Sequence, residues 1–584
     1  MSPRKQTSLF ASSGAAAEAA EEDTTPAKRK AAARRAPARK PAAKRPAAKA
    51  KAKPKGKAKT KVKGPRTKAH DLAEKQREIS VSEFFAKNRH LLGFDSKRKA
   101  LLTTVKEAVD NALDACEEAD ILPDLTVRVE AVKVEEDRYR VSVADNGPGI
   151  VDAQVNNVFA KLLYGSKFHR LRQSRGQQGI GISAAGMYGQ MTTGAPTIIR
   201  TRISRRHDAA EIGLRIDTHK NIPVRTKHKV IDWDRAHGTE VVIELEARYH
   251  KGRGSVPEFL GQVAIANPHV NITYYGPDKK TPEVYERATK VMPEHAKEIK
   301  PHPHGVELGF LMKMMKSTRS TRLSAFLHAD FSRVSTPVAR DICKRAKVEP
   351  DSRVKSLEHK SAEAIYKAIQ NTKLMNPPTD CVSPIGESLI QKGLSKEIGE
   401  AEFFVSRTRS PSVYRGNPFQ VEVGVALGGD LPADDPARLM RFANRVPLQH
   451  QPGACAITKS VIDVDWKGYG LQQPRGSMPI GPVIIMVHVA SAWVPFTSES
   501  KEAVASYPEI LKELKLCLQE CGRQMQKHLR RRARVADEMK KRAYIEKYIP
   551  HIGAALKEIL ELSDAQEKKV VVTLRDTLER SRKL

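Results

Sequence analysis

The 584-residue chain has no apolar run approaching the ~18 residues that a bilayer-spanning helix needs, and its first residues lack the apolar core of a secretory signal. Cysteine is scarce: Cys116, Cys343, Cys381, Cys455, Cys517 and Cys521 are scattered, and none forms a C-x-x-C pair. That spacing argues against a disulfide framework or a zinc site, and a reducing cytoplasmic setting is expected. Cys517 and Cys521 lie one helical turn apart and read as core packing. Acidic residues are in deficit, with 68 Asp and Glu against 102 Lys and Arg, for a formal net charge of +34. Charge of that size does not dictate a fold, but it favours a polyanionic partner, nucleic acid before an acidic membrane surface. The first 70 residues hold 21 Lys and Arg against 4 Asp and Glu, which leaves the remaining chain at +17. The body is therefore basic in its own right. No internal repeat is evident.

Residues 1–77 are Ala-, Lys-, Pro- and Arg-rich and of low complexity, a composition that buries too little apolar surface to offset its ordering entropy. A disordered basic tail that pairs with DNA phosphates is expected there. Beyond it, a capped helix is signalled from Asp95 through KRKALLTTVKEAVDNALDACEEA. Alternating strand sequence follows, then a Gly/Gln-rich loop, the helical GIGISAAGMYGQM, and further strands through TIIRTRIS, AEIGLRID and GTEVVIELEA. This order predicts an α+β sandwich over residues 78–303. A connector at HPHGVELG leads to a basic helical segment, 304–385. Strands and helices return over 386–500. A long helix is expected over 501–548, with a terminal segment at 549–584.

Three motifs carry chemistry. In Glu107-Ala-Val-Asp-Asn111-Ala-Leu-Asp114 the spacings of four and three place a carboxylate, an amide and a carboxylate on one helical face, with Val105, Val109, Leu113 and Cys116 on the buried side. A solvated helix face would look the same. Asp145-Asn-Gly147-Pro-Gly149 follows an alternating strand. Its glycines permit close approach of a ligand to the backbone, and Asp145 can accept from an exocyclic amine; an ordinary Asn-Gly turn is the plainer reading. Ser174-Arg-Gly176-Gln177-Gln178-Gly179-Ile180-Gly181-Ile-Ser183 opens a helix, and backbone N–H groups at such an N-terminus form an anion site. The spacing does not fit the Walker motif, which places Lys-Ser/Thr after the second glycine.

Taken together and in this order, the motifs resemble the N, G1 and G2 boxes of the GHKL (Bergerat) ATPases, the fold shared by gyrase, Hsp90, histidine kinases and MutL-type proteins. The wording KLLYGSKFHRLRQSRGQQGIGISAAGMYGQMTTG is closer still to the lid of the topoisomerase VI B subunits, and the resemblance runs over about residues 78–550. It implies an ATP- and Mg²⁺-dependent clamp on duplex DNA. Such a clamp self-dimerises on ATP binding and assembles with a cleaving A subunit into a heterotetramer of two A and two B chains, with cleavage residing in the A subunit. The setting implied is cytoplasmic and nucleoid-associated, with no membrane partner.

By that resemblance Glu107 is the general base and Asn111 the Mg²⁺ ligand. Asp145 reads adenine, flanked by Gly147, Gly149 and the hydroxyl of Thr239. Lys167, Gly176, Gln177, Gln178, Gly179, Ile180 and Gly181 belong to the lid, and Lys501 is the switch lysine of the transducer domain. DNA contacts are expected at Lys251 and Arg253, where Gly254 replaces the family's second arginine, and at Trp466, Lys467 and Tyr469, although a packed turn with one exposed lysine would carry the same residues. The 304–385 segment stands where the family has its helix-two-turn-helix module, 386–500 where it has the transducer, 501–548 where it has the stalk. The segment at 549–584 is expected to dock the A subunit, and residues 80–92 to supply the exchanged arm of the dimer. Two rivals remain at this point: a MutL-like repair clamp, and a chromatin protein with a vestigial ATPase fold. A histidine kinase is disfavoured, because no phosphoacceptor helix precedes the ATPase motifs.

Overall fold

A computed structural model describes residues 83, 85, 87–161, 164–165, 170–176, 179–217, 222–398 and 401–581, with residue 68 standing alone. The basic tail, Lys167, Gln177, Gln178 and part of the expected exchanged arm lie outside the described residues.

The first layer is an eight-stranded sheet in the order β5-β4-β3-β6-β2-β1-β7-β8. The strands are β1 (Asp124–Lys133), β2 (Arg138–Ala144), β3 (Thr197–Arg202), β4 (Ala209–Asp217), β5 (Ile222–Ile231), β6 (Gly238–Glu246), β7 (Asn271–Tyr275) and β8 (Glu283–Tyr285). All neighbours are antiparallel except β1 and β7. Alternation of buried and half-buried residues, as along β6 from Thr239 onward, makes one face apolar. On that face lie helices α1 (Lys97–Glu118), α3 (Gly181–Thr193) and α4 (Val256–Ala266), with the shorter α2 (Asp152–Ala160) beside them. The other face carries a ladder of cross-strand ion pairs, Arg138 and Arg140 with Glu244, and Arg200 with Glu211 and Glu240. A two-layer α+β sandwich with one wet face results.

Helix α1 begins where the sequence signals it. Ser96 caps it by accepting the Lys99 N–H at 3.3 Å. Its Leu101, Val105, Val109, Leu113 and Cys116 are fully buried.

The connector at Pro303–Gly305 is a single 3-10 turn. His302 and His304 hold its ends through the backbone carbonyls of Met375, Ile369 and Thr372. Helices α5 (Leu308–Ser317), α6 (Leu323–Asp330), α7 (Thr336–Ala346) and α8 (His359–Gln370) then close around a core of their own.

A second sheet orders β10 (Ser412–Tyr414), β11 (Asn417–Leu427), β14 (Val483–Ser491), β12 (Arg438–Ala443) and β13 (Val446–Pro447), with β9 (Phe403–Thr408) pairing with β11. Every residue of the central β14 is buried, because both faces are covered. One face takes α9 (Glu387–Ile398) together with Ile265 and Ala266 of α4, which joins this sheet to the first layer. The other takes α10 (Ala456–Asp463) and the start of α11.

Helix α11 departs from the expected bounds of 501–548. It starts at Pro508 and runs 53 residues to Leu560, about 80 Å at 1.5 Å per residue. Residues 498–507 form a loop, pinned by a Phe496–Val504 bridge, that the helical periodicity after Ser500 concealed. At the other end the helix continues through Pro550 before turning at Glu561. Cys517 and Cys521 face the sheet core, as their spacing implied. Helix α12 (Asp564–Ser581) folds back on the end of α11, with Val571 against Gly553. Among the described residues no helix is long and apolar enough to cross a membrane.

Candidate active site

Helix α1 is buried along one stripe and open along another. Lys106, Glu107 and Asn111 lie on the open stripe and face a cavity of about 630 Å³. Asp114, third in the motif, does something different. It is buried and takes Arg175 Nη1 at 2.8 Å on Oδ1 and the Gly176 N–H at 3.4 Å on Oδ2. The helix thus offers two groups to a ligand and uses the third to anchor the Gly-rich segment.

Across the cavity the first turn of α3 presents its N-terminus. Gly181 leaves room for Glu107: a β-carbon at that position would overlap the Glu107 carboxylate and push it aside. Glu107 therefore lies against a helix N-terminus, where backbone N–H groups and the helix dipole also favour an anion. An acid placed beside an anion site can polarise a water attacking that anion.

Asp145 closes the far end. Strands β2 and β6 are neighbours, so the end of one meets the start of the other. Asp145 Oδ1 accepts the Gly147 N–H at 2.8 Å and the Thr239 N–H at 3.0 Å. Burial pushes its carboxyl up to about 6 although both amides favour the charged form. Thr239 Oγ1 lies 3.4 Å from Thr201 Oγ1. Gly149 has φ +71, and a side chain there would strike the Arg202 carbonyl. Ala112, Val143, Ile150, Phe159 and Val241 give the adjoining wall an apolar surface. A flat heterocycle with an exocyclic amine fits a slot with one carboxylate at its end.

Lys501 comes from the loop before α11, in left-handed backbone with φ +53. Its Nζ donates to the Arg175 carbonyl at 3.1 Å. Burial holds its ammonium below the ordinary lysine value, and Glu107 is the strongest influence opposing that. The adjacent Glu502 is tied to Lys99 of α1 at 3.1 Å. Glu107, Asn111, Asp145, Gly149, Gly176, Gly179, Ile180, Gly181, Thr239 and Lys501 all line this one cavity, and Gly147 supports it from behind. No cluster of three or more His, Cys, Asp or Glu able to hold a metal occurs among the described residues. The oxygen donor here is the exposed Asn111 amide, which suits a hard cation completed by phosphates and water.

Nothing in the motif spacing marked Arg175 as a hub, although a lone arginine amid Gly and Gln was the available signal. It is 7% exposed. Its guanidinium bonds Asp114, both oxygens of Glu117 at 2.6–2.7 Å, and Asn267 Oδ1 at 2.5 Å. Burial opposes charge on Glu117, but Arg175 and His269 hold it well below the usual carboxylate range. Leu448, Gln449 and His450, which follow β13, also line the cavity and were not expected.

The DNA-contact candidates divide. Lys251 and Arg253 are exposed; Lys251 is held only by a surface pair to Asp278 at 2.7 Å, and such pairs exchange easily. Lys467 is exposed as well. Trp466, expected among the DNA contacts, is wholly buried, and its Nε1 donates to the Val461 carbonyl at 2.8 Å. Tyr469 is half-buried, its ring against Gly522 of α11. The aromatics fix the turn that holds Lys467 out, and burial takes the Trp466 ring out of reach of a direct DNA contact.

A carboxylate on a helix facing a glycine-bounded helix N-terminus, with a buried acid at the far end of the slot, defines a nucleotide-binding ATPase domain. The family model for histidine kinase-, DNA gyrase B- and HSP90-like ATPases matches residues 96–248. The model for the topoisomerase VI B subunit transducer matches residues 377–541. The B subunit of type 2 DNA topoisomerase 6 from Methanococcoides burtonii is 50% identical over 494 residues, 84% of this chain and 79% of that protein. The Methanosarcina mazei protein of that name matches equally well, and the Archaeoglobus fulgidus one is 45% identical over 504 residues, 86% of this chain and 83% of its own length. The chain belongs to the family of type 2 DNA topoisomerase 6 B subunits.

Proposed function

We propose that this cavity binds and hydrolyses ATP, and that the chain is the ATP-dependent B subunit of a type IIB DNA topoisomerase. The observation that carries the reading is that Lys501, from the transducer loop, and Glu107, from the ATPase helix, converge on one cavity bounded by the lid glycines.

In this reading Asp145 accepts from the adenine amino group, with Thr239 beside it, while Gly147 and Gly149 let the base lie close to the strand end. Gly176, Gly179, Ile180 and Gly181, with Gln177, Gln178 and Lys167, cradle the phosphates. Asn111 is the side chain that would hold Mg²⁺, which would supply positive charge to the phosphates. Glu107 orients the attacking water and takes its proton. Lys501 exchanges the Arg175 carbonyl for the terminal phosphate and so stabilises charge there. Because Lys501 belongs to the loop that starts α11, that exchange moves the long helix with the nucleotide.

The partner is an A subunit, which makes the double-strand break; two A and two B chains form the working heterotetramer. ATP binding dimerises two B subunits around a duplex, and that duplex passes through the break, which relaxes or decatenates DNA. Lys251, Arg253 and Lys467 contact its phosphates. The division into ATPase (78–303), helix-two-turn-helix (304–385), transducer (386–500), stalk and A-docking segment is proposed on the same ground, with the stalk spanning Pro508–Leu560. DNA binding keeps the enzyme on the nucleoid.

The test is ATP hydrolysis by the purified chain, with and without duplex DNA and an A subunit. DNA-stimulated turnover, absent in Glu107→Ala, with strand passage only when the A subunit is present, is expected. Absence of turnover under every condition would reduce the cavity to a nucleotide sensor.

A further inference from the structure

Residues 171–176, which lead into the phosphate loop, are tied at successive positions to the second sheet and its approach. Leu171 bridges to Ile299. Gln173 donates its backbone N–H to the Cys381 carbonyl at 2.8 Å, and its side-chain amide pairs with both backbone groups of Ser383 at 2.8 and 3.0 Å. The Ser174 carbonyl accepts from Asn444 Nδ2 at 3.0 Å. Arg175 reaches Asn267, whose Nδ2 donates in turn to the Arg445 carbonyl at 3.3 Å.

Asn444 and Arg445 are the two tip residues between β12 and β13, with φ +48 and +66. A two-residue hairpin with both tip residues left-handed is ordinarily Asn-Gly, because a β-carbon at the second place is strained. Here the second residue is an arginine. It is buried, donates from Nη2 to Ser383 Oγ at 3.1 Å and the Pro384 carbonyl at 2.9 Å, and gives its backbone N–H to His488 Nε2 at 2.9 Å. Strain of this kind persists where surrounding contacts over-determine the position. Those contacts lead to the lid entry, and the strand leaving the tip runs on to Leu448–His450 in the cavity wall.

We infer that the Asn444–Arg445 hairpin tip is a second input from the transducer to the nucleotide lid, made through contacts other than those of Lys501. It sets the position of residues 174–176, and hence of the lid glycine Gly176 and of the Arg175 carbonyl on which Lys501 rests. Asn444 and Arg445 are positioning residues, since neither lines the cavity. The inference rests on the ATPase reading above, which Glu107→Ala tests separately.

The experiment uses the full chain with its A subunit and two variants. Asn444→Gly keeps the left-handed backbone at no steric cost and deletes the donor to Ser174 together with the bonds to both backbone groups of Ser491. Asn444→Asp keeps an acceptor for Ser491 N–H but can donate to neither the Ser174 nor the Ser491 carbonyl. For both, the expected result is a fall in ATPase kcat of about 5- to 20-fold, with KM within about twofold, a Tm lowered but well above the assay temperature, and more ATP consumed per strand passage. Wild-type kcat and coupling in either variant overturns the inference while leaving the ATPase reading intact. A loss confined to KM overturns it too. So does a loss matched by melting of both variants, because the tip is then only a structural turn.

Discussion

At the scale of single residues, the site depends on a close approach that any added side chain would push apart. Gly181 leaves the space that the Glu107 carboxylate fills. Gly181→Ala should therefore resemble a Glu107 substitution with Glu107 still present: kcat down by at least about 100-fold, the range of a lost general base, with nucleotide-analogue binding weakened less. Single-turnover hydrolysis and analogue titration separate the two quantities, and normal turnover in Gly181→Ala would contradict the close approach. Asp145 gives a pH test. Its carboxyl lies at about 6 in the folded protein, raised from 3.8 by burial. As pH falls through that value the folded protein takes up a proton there, and the acceptor for an exocyclic amine is lost. The KM for ATP should rise below about pH 6, and Asp145→Asn should have a high KM that no longer varies across that window. A wild-type KM flat from pH 5 to 7 would remove Asp145 from base recognition.

At the scale of elements, the turn after α10 shows what a motif conveys and what it hides. Trp466 is a core side chain, so Trp466→Ala should cost roughly 3–5 kcal/mol and lower the Tm, whereas Lys467→Ala should leave the Tm alone. The lysine variant should bind duplex DNA more weakly, with the slope of log affinity against log salt smaller by about 1. Melting curves and DNA titrations at several salt concentrations check both, and a Lys467→Ala slope equal to wild type would take the turn off the DNA surface. The same contrast governs what was legible. Helix α1 and the strands of the first sheet could be read because periodicity is local, whereas the convergence of Glu107, Asn111, Asp145 and the glycines was legible through the family resemblance, since spacing alone left a solvated helix face and an Asn-Gly turn open. Asp114, Arg175, Asn267 and Asn444 could not be read, because their partners lie far along the chain: 270 residues separate Asn444 from Ser174. The stalk bounds failed for a local reason. The Ser498–Tyr507 loop sits inside helix-like composition, and the helix runs on through Pro550, past the expected bound at 548.

At the scale of the whole molecule, the movement proposed at Lys501 would have to reach a break made on another chain. Helix α11 begins seven residues after Lys501, is clamped to the second sheet through Ile510–Met525, and then runs on largely exposed. A rod fixed at one end converts a small rotation near the nucleotide into a larger displacement at the other. Near that far end Tyr544, Tyr548 and Ile552 recur every fourth residue, so they share one face, and they are 63%, 48% and 44% exposed. An apolar stripe left open on a stalk is a surface for a protein partner. Replacing Tyr548 and Ile552 together by Glu should abolish copurification with the A subunit and strand passage, while ATPase of the isolated chain stays within about twofold of wild type, because the nucleotide cavity lies at the other end of the helix. Retained copurification would move the docking surface to α12. A parallel loss of ATPase would mean that the stalk end reports back to the cavity even without its partner.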